Sequence, residues 1–333
     1  MLYGENQTGS YVPGRIVTND DLAAMMDTND EWIVTRTGIH TRHIAEDGES
    51  ASDMAAAAGR KALEMAGVGR DKIGFMLVAT GTPDYPIPST ASIVQEKLGL
   101  THTGAMDISS GCAGFIHGLI VARGMVSSGM VDYVLVISSE MLSRHLDWSD
   151  RSVCILFGDG ASAAVVGPVS EGMGILSFDM GTDGRFWKCI HIPAGGVVKP
   201  VSEEAIRNKE IYMRMDGKKV FEWSVHRMME TAARSLEKAG LSKEEISLFL
   251  FHQANLRIIR CIAGKMGIPM DKIPIELDRL GNTGPASVGI ALDEALKEAL
   301  INSQNRISYV FLSNAASSVS LNSSLFASTD SLH

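Results

Sequence analysis

Apolar positions along this chain fall into two patterns. Short continuous runs, Phe75-Met76-Leu77-Val78-Ala79 and Val134-Leu135-Val136-Ile137, lack the alternation of a half-exposed strand and predict strands buried on both faces. Ala-rich stretches with helical period, such as 52–66, predict helices, and the alternation of the two predicts an α/β protein. The stretch 116–126 is apolar on nearly every face, which predicts a buried helix, and it opens from the turn Asp107-Ile108-Ser109-Ser110-Gly111-Cys112-Ala113-Gly114-Phe115. Gly158-Asp159-Gly160-Ala161 lacks the spacing of a dinucleotide fingerprint or P-loop and reads as a turn into a strand at 163–166. Gly195-Gly196 and the stretch from Pro83 to Pro88 read as loops.

The same order of elements then recurs. Leu63-Glu64-Met65-Ala66-Gly67 and Gly74-Phe75-Met76-Leu77-Val78 are matched, 173 positions on, by Leu236-Glu237-Lys238-Ala239-Gly240 and Ser247-Leu248-Phe249-Leu250-Phe251. Tyr133 and Tyr309 sit in strand-like runs 176 positions apart. Internal duplication is the economical explanation, with halves 1–170 and 171–333 divided where Pro168, Gly172 and Gly174 punctuate the chain. The counterpart of the buried helix is a predicted helix at 288–300, opened by Gly281-Asn282-Thr283-Gly284-Pro285-Ala286-Ser287, with Pro285 suited to a first turn. Each half therefore aims a strand-to-helix turn at the middle of the molecule. Two sheets sharing a central helical layer, related by a pseudo-twofold axis, are expected.

Composition narrows the function. With 333 residues, 45% hydrophobic and 21% charged, the chain is neither disordered nor fibrous and can bury a large core. A net charge of −9 argues against holding a phosphate backbone, so no nucleic-acid partner is expected. Cys112, Cys154, Cys189 and Cys261 show no CxxC spacing, which argues against a disulfide framework and a zinc site and suits a reducing cytosol. No apolar run approaches the ~18–20 residues of a membrane span, and no basic-then-apolar leader opens the chain, so a soluble, cytoplasmic protein with no membrane partner is expected.

Cys112 is predicted at the N-terminus of a buried helix, where free N–H groups and the helix dipole lower a thiol pKa. The other three cysteines read as small core residues. His252 follows the strand-like Leu248-Phe249-Leu250-Phe251 at its C-terminal end, where α/β active sites collect. His40, His43, His102, His145 and His333 read as surface groups, and His117, His191 and His226 as core residues. Asn282, between glycines, is by itself an ordinary turn residue tolerant of a left-handed conformation. Together, Cys112, His252 and Asn282 occupy turns that the duplication points inward, and cysteine, histidine and asparagine form a recurrent nucleophilic set.

The segments Asp27-Thr28-Asn29-Asp30-Glu31-Trp32-Ile33-Val34-Thr35-Arg36-Thr37-Gly38-Ile39, Ser110-Gly111-Cys112-Ala113-Gly114-Phe115, Phe157-Gly158-Asp159-Gly160-Ala161, His252-Gln253-Ala254-Asn255 and Gly281-Asn282-Thr283 carry a family likeness. From about Thr8 to Leu300 the chain resembles β-ketoacyl-[acyl-carrier-protein] synthase III of the thiolase superfamily. The resemblance implies a five-layered αβαβα fold, a homodimer, and an acyltransferase that initiates fatty-acid synthesis. The implied reaction is the decarboxylative condensation of a short acyl-CoA with malonyl-[acyl-carrier protein], giving 3-oxoacyl-[acyl-carrier protein], CoA and carbon dioxide without metal or redox cofactor. Cys112 would carry the acyl group, and His252 and Asn282 would stabilise charge on the malonyl thioester oxygen. Trp32, Arg36 and Arg151 would clamp the CoA nucleotide, while Asn255 and Gly217 would border the pantetheine arm. Arg257, Arg260, Lys218 and Lys219 would form a local basic patch for the acidic carrier. Ile87, on a loop that in this family caps the partner's acyl pocket, would admit longer or branched acyl groups than a flat aromatic does.

Rival readings divide on the same residues. A degradative thiolase needs a second catalytic cysteine after Cys261, and an elongating synthase needs a second histidine where Asn282 stands. A starter enzyme of polyketide or other specialised metabolism keeps the same triad. A slow or non-catalytic acyl-CoA-binding paralogue would keep Trp32 and Arg36 without needing the triad. The resemblance fails at the chain ends: residues 1–7 lack an apolar first strand, and the strand expected at 307–312 runs into Ser313-Asn314-Ala315-Ala316-Ser317-Ser318-Val319-Ser320, where relatives carry a Phe-Gly-x-Gly turn that supplies an oxyanion donor. A relocated donor or a slow condensation step is expected from that difference.

Overall fold

A computed structural model describes residues 7–169, 173–298, 306–310 and 315–322. The first half runs β1 (Thr8–Tyr11), β2 (Arg15–Thr18), α1 (Asn19–Ala23), α2 (Asp30–Thr37), β3 (Thr41–Ile44), α3 (Ala51–Ala66), β4 (Ile73–Ala79), α4 (Thr90–Leu98), β5 (Gly104–Ile108), α5 (Gly114–Ser127), β6 (Tyr133–Glu140) and β7 (Gly160–Val166). The second runs β8 (Gly174–Thr182), β9 (Ile190–His191), α6 (Glu203–Arg207), β10 (Arg214–Met215), α7 (Gly217–Ala239), β11 (Leu248–Phe251), α8 (Leu256–Met266), α9 (Leu277–Leu280), α10 (Ala286–Lys297), β12 (Arg306–Val310) and β13 (Ala315–Asn322).

Two sheets carry the architecture, one in the order β1-β7-β6-β4-β5 and one in the order β11-β12-β13-β8. In the first, β4 pairs parallel with β6, β6 antiparallel with β7, and β7 antiparallel with β1. In the second, β11, β12, β13 and β8 repeat that sequence of parallel, antiparallel and antiparallel pairings. The matched helices α3 and α7 both end on a left-handed glycine, Gly67 and Gly240, the pair that the sequence repeat aligns.

Strand alternation sorts the side chains into layers. Leu77, Val134, Val136, Ala164 and Val166 of the first sheet and Leu248 and Leu250 of the second face α5 and α10 in one shared core. Met76, Val78, Leu135 and Ile137 face the other way, onto α3 and α4. Phe249 and Phe251 likewise face α7 and α8. Five layers result, with α5 and α10 in the middle. Burial on both faces explains why these strands read as unbroken apolar runs.

Several expectations need correction. The first described strand, β1, is polar, and Thr8 and Ser10 donate their hydroxyls to the buried Asp293 carboxylate at 2.9 and 2.5 Å. Val121 on the buried helix is exposed. Pro285 caps α10 from just outside its first turn. His226 is exposed rather than in the core. The expected boundary falls on 170–172, outside the described residues, as are residues 1–6, His333 and the tail from 323; of the stretch 313–316, where relatives carry the Phe-Gly-x-Gly turn, 313 and 314 also lie outside them. The expected segment from Ala315 onward lies in β13, antiparallel to β8.

Candidate active site

β5 runs through Ser109 and Ser110 into a single 3-10 turn, Gly111–Ala113, and then into α5, which places Cys112 just before the helix N-terminus. The turn needs φ = +53° at Gly111, a conformation glycine adopts without strain. His252 is the first residue after β11 and is 2% exposed. Asn282 sits between α9 and α10, and it does not itself take a positive φ; Gly281 (φ = +68°) and Gly284 (φ = +59°) do. Its backbone N–H donates to the Leu156 carbonyl at 2.8 Å, and its carbonyl accepts from the Gly158 N–H at 3.1 Å. So close an approach needs Gly158, where a Cβ would meet the Leu280 carbonyl at 2.2 Å. Cys112, His252 and Asn282 all line one cavity of about 470 Å³, which also touches Trp32, Arg36 and Arg151.

The hydrogen-bond inventory of the two polar residues leaves specific groups unspent. Ser287 Oγ lies 2.8 Å from His252 Nδ1 and accepts from the Gln253 N–H at 3.2 Å. The Ser287 hydroxyl proton is then best used on Nδ1, which makes Nε2 the protonated ring nitrogen. Burial pulls the His252 pKa down to about 3, so the ring is neutral. Asn282 Oδ1 accepts from the Gly284 N–H at 2.9 Å, which identifies Nδ2 as the end left for the cavity. Two neutral N–H donors therefore border the cavity that holds the thiol.

The thiol departs from expectation. Burial, reinforced by the Glu140 carboxylate, pushes Cys112 up to about 12, outweighing the helix end that was expected to lower it. The resting nucleophile is a neutral thiol. Glu140, which the sequence reading missed, closes β6, lines the cavity and is 2% exposed. Its Oε1 accepts from the Gly81 N–H at 2.6 Å and its Oε2 from the Thr82 hydroxyl at 2.9 Å, and burial pushes its pKa up to about 7. The available signal was a lone carboxylate ending an apolar strand at its C-terminal edge. Ser287 was missed too, because a serine in the first turn of a helix announces nothing by type.

At the mouth, the guanidinium carbons of Arg36 and Arg151 lie 4.2 and 4.8 Å from the Trp32 ring centroid. Asn255 caps α8, its Oδ1 accepting from the Arg257 N–H at 2.8 Å, and its Nδ2 donates to the Arg36 carbonyl at 3.1 Å. Gly217 lines the cavity, and a Cβ there would make an ordinary contact with Met215 Cε at 3.8 Å. Lys219 is paired with Asp216 at 2.8 Å and Lys218 approaches Glu222 at 4.0 Å, whereas Arg257 and Arg260 are exposed with no ion pair among the described residues. Ile87 is 87% exposed and does not line the cavity of its own chain. His145, read as a surface group, lines the cavity, and so does the buried Cys189. The wall formed by Phe186, Ile190, Ile192, Met213 and Met215 had no sequence signal, because it comes from loops and two-residue strands.

A duplicated five-layered fold with cysteine, histidine and asparagine around one cavity defines a thiolase-fold condensing enzyme, an acyltransferase. Residues 106–184 match the family model for 3-oxoacyl-[acyl-carrier-protein (ACP)] synthase III, and 236–321 match its C-terminal model. The β-ketoacyl-[acyl-carrier-protein] synthase III of Caldanaerobacter subterraneus subsp. tengcongensis is 47% identical over 294 residues, 88% of this chain and 89% of that one. The crystal structure of 3-oxoacyl-[acyl-carrier-protein] synthase III from Aquifex aeolicus VF5 superposes with a TM-score of 0.87 at 39% identity, covering 95% of this chain and 98% of the other. The priming β-ketosynthase of the R1128 polyketide pathway also superposes with a TM-score of 0.87, at 35% identity and 95% coverage of both chains. The chain belongs to the β-ketoacyl-[acyl-carrier-protein] synthase III family. Among the described residues, no helix is long and apolar enough to cross a membrane.

Proposed function

We propose that this protein starts fatty-acid synthesis by transferring a short acyl group from CoA to Cys112 and condensing it with malonyl-[acyl-carrier protein]. The observation that carries the reading is the pair of unspent donors, His252 Nε2–H and Asn282 Nδ2–H, bordering the cavity that holds the Cys112 thiol.

In the first half-reaction the Cys112 sulfur attacks the acyl thioester carbonyl, the C–S bond to CoA breaks, and the thiol proton ends on the departing CoA sulfur. A thiol with a pKa of about 12 makes this proton transfer part of the step. In the second, the bond between malonyl carbon and carboxylate breaks and its electron pair flows into the thioester, placing negative charge on the oxygen held by His252 and Asn282. That pair then forms the new C–C bond at the acyl carbonyl carbon. The bond to Cys112 breaks, the sulfur leaves as thiolate, and it takes up one proton from water, replacing the proton given to CoA. Loss of carbon dioxide drives the sequence, so electrons and protons balance without an oxidant, a reductant or a metal.

Trp32, Arg36 and Arg151 hold the nucleotide, and Asn255 and Gly217 border the arm, Asn255 chiefly by fixing the Arg36 backbone. Arg257 and Arg260 take the acidic carrier, a role that their lack of carboxylate partners supports better than it supports Lys218 or Lys219. The halves 1–170 and 171–333 contribute the nucleophile and the oxyanion donors respectively. A homodimer suits the open edge of β5 and the exposed Ile87, which would reach a partner's acyl pocket. Four free cysteines suit a cytoplasmic location.

Intact-mass analysis tests the reading directly. Incubation with acyl-CoA should add one acyl mass, Cys112→Ala should abolish it, and malonyl-carrier should discharge it. An acyl mass retained by Cys112→Ala, or never discharged, overturns the assignment.

A further inference from the structure

The face of α7 bordering the cavity carries Gly217, Val220, Phe221 and Ser224, a helical i, i+3, i+4, i+7 stripe, with Trp223 beside it. Two polar atoms on this stretch, Ser224 Oγ and Trp223 Nε1, are buried and have no hydrogen-bond partner among the described residues. Ser224 is fully buried. A serine inside a helix ordinarily returns its hydroxyl to a carbonyl one turn back, as Thr231 of the same helix does toward Arg227 at 2.9 Å; Ser224 does not. Burying an unpaired hydroxyl and an unpaired indole N–H is unfavourable, and most such groups in folded proteins are paired. The neighbouring wall, from Phe221, Ile258, Leu156 and the Phe186 ring 5.9 Å from Trp223, offers no polar partner.

We propose that Ser224 and Trp223 form a polar catch for an amide of the pantetheine arm. This rests on the acyl-CoA reading above. An arm joining the nucleotide clamp at Trp32 to the sulfur of Cys112 must pass through this cavity, and its polar units there are secondary amides, each one acceptor and one donor. An indole N–H supplies a donor for the amide carbonyl, and a hydroxyl can donate to the carbonyl or accept from the amide N–H. The thioester carbonyl itself is served by His252 and Asn282, so these two groups are surplus to the chemistry and matched to the carrier of the acyl group.

The test compares acylation of Cys112 by an acyl-CoA with acylation by the S-phenyl thioester of the same acyl group, which has no arm. In Ser224→Ala, kcat/KM for acyl-CoA should fall about three- to tenfold, the worth of one hydrogen bond, with the S-phenyl thioester unaffected. Trp223→Phe should show the same selectivity. Because Ser224→Ala removes an unpaired buried group, the melting temperature of the free protein should hold or rise, which separates a binding role from a structural one. Equal losses on both donors, or no loss on acyl-CoA, overturn the proposal and identify the two groups as water-paired wall atoms. Failure of the wild-type protein to be acylated by acyl-CoA is a different result, overturning the acyl-CoA reading and this proposal with it.

Discussion

Replacing Glu140 by Gln tests the electrostatics of the nucleophile chamber from two sides. Burial raises the Glu140 pKa from 4.5 to about 7, so the folded protein prefers the protonated group. The resulting penalty is absent below the unfolded pKa, grows as pH rises toward 7, and is constant above it, where it amounts to about 3 kcal/mol. Glutamine keeps an oxygen for the Gly81 N–H but offers an NH₂ where the Thr82 hydroxyl now donates, and that lost bond costs about 1 kcal/mol. Glu140→Gln should therefore stabilise the protein by about 2 kcal/mol at pH 8 and destabilise it by about 1 kcal/mol near pH 4.5. Removing a like charge should also lower the Cys112 pKa and raise the thiolate fraction. The lower intrinsic nucleophilicity of a more acidic thiolate takes back part of this, and acylation at pH 8 should still be faster than in the unmodified protein. Urea melts at the two pH values and time-resolved intact mass with acyl-CoA read both effects. A variant equally destabilised at both pH values and acylated no faster would refute this account of Glu140.

The remaining predictions address separate parts of the site. His252→Ala and Asn282→Ala should still form acyl-enzyme but lose condensation by ~100-fold or more, as removal of one oxyanion donor does; equal loss of both half-reactions in Asn282→Ala would contradict the assigned roles. Arg260→Glu should raise KM for malonyl-carrier several-fold while leaving acyl-CoA kinetics alone, and unchanged carrier kinetics would remove α8 from the docking surface. Ile87→Phe should shift preference toward acetyl-CoA by about tenfold, the worth of one or two methylenes in such a pocket, measured by competition between acetyl- and longer acyl-CoA donors. A strict acetyl preference already present in the unmodified protein would dispose of the role given to Ile87.

What could be read in the sequence follows from how local each cause is. Strands such as β4, β6 and β11 announce themselves because both faces are buried, and the duplication survives in their spacing. The turn before α5 is local, so Cys112 was visible as a helix-end cysteine. Its acidity was not, because burial and Glu140 act through space, and they reverse the direction the helix end alone implies. The strand β1 was hidden for a related reason: Thr8 and Ser10 look like loop residues until Asp293, far along the chain, accepts their hydroxyls. Trp223 and Ser224 fall in an amphipathic helix, where nothing in the pattern marks one buried hydroxyl as lacking a partner.

The isolated bridge between Phe157 and Asn282 has a consequence for how the molecule fails. Asn282 is held on both its backbone groups by residues of the other half, Leu156 and Gly158, so the donor in one half is registered by the backbone of the other. A fragment comprising either half alone lacks that register, however well its own sheet forms. Because both sheets share the core around α5 and α10, the two parts of the chain cannot separate without exposing that core, so loss of catalysis on heating should coincide with the loss of helical and sheet signal in circular dichroism.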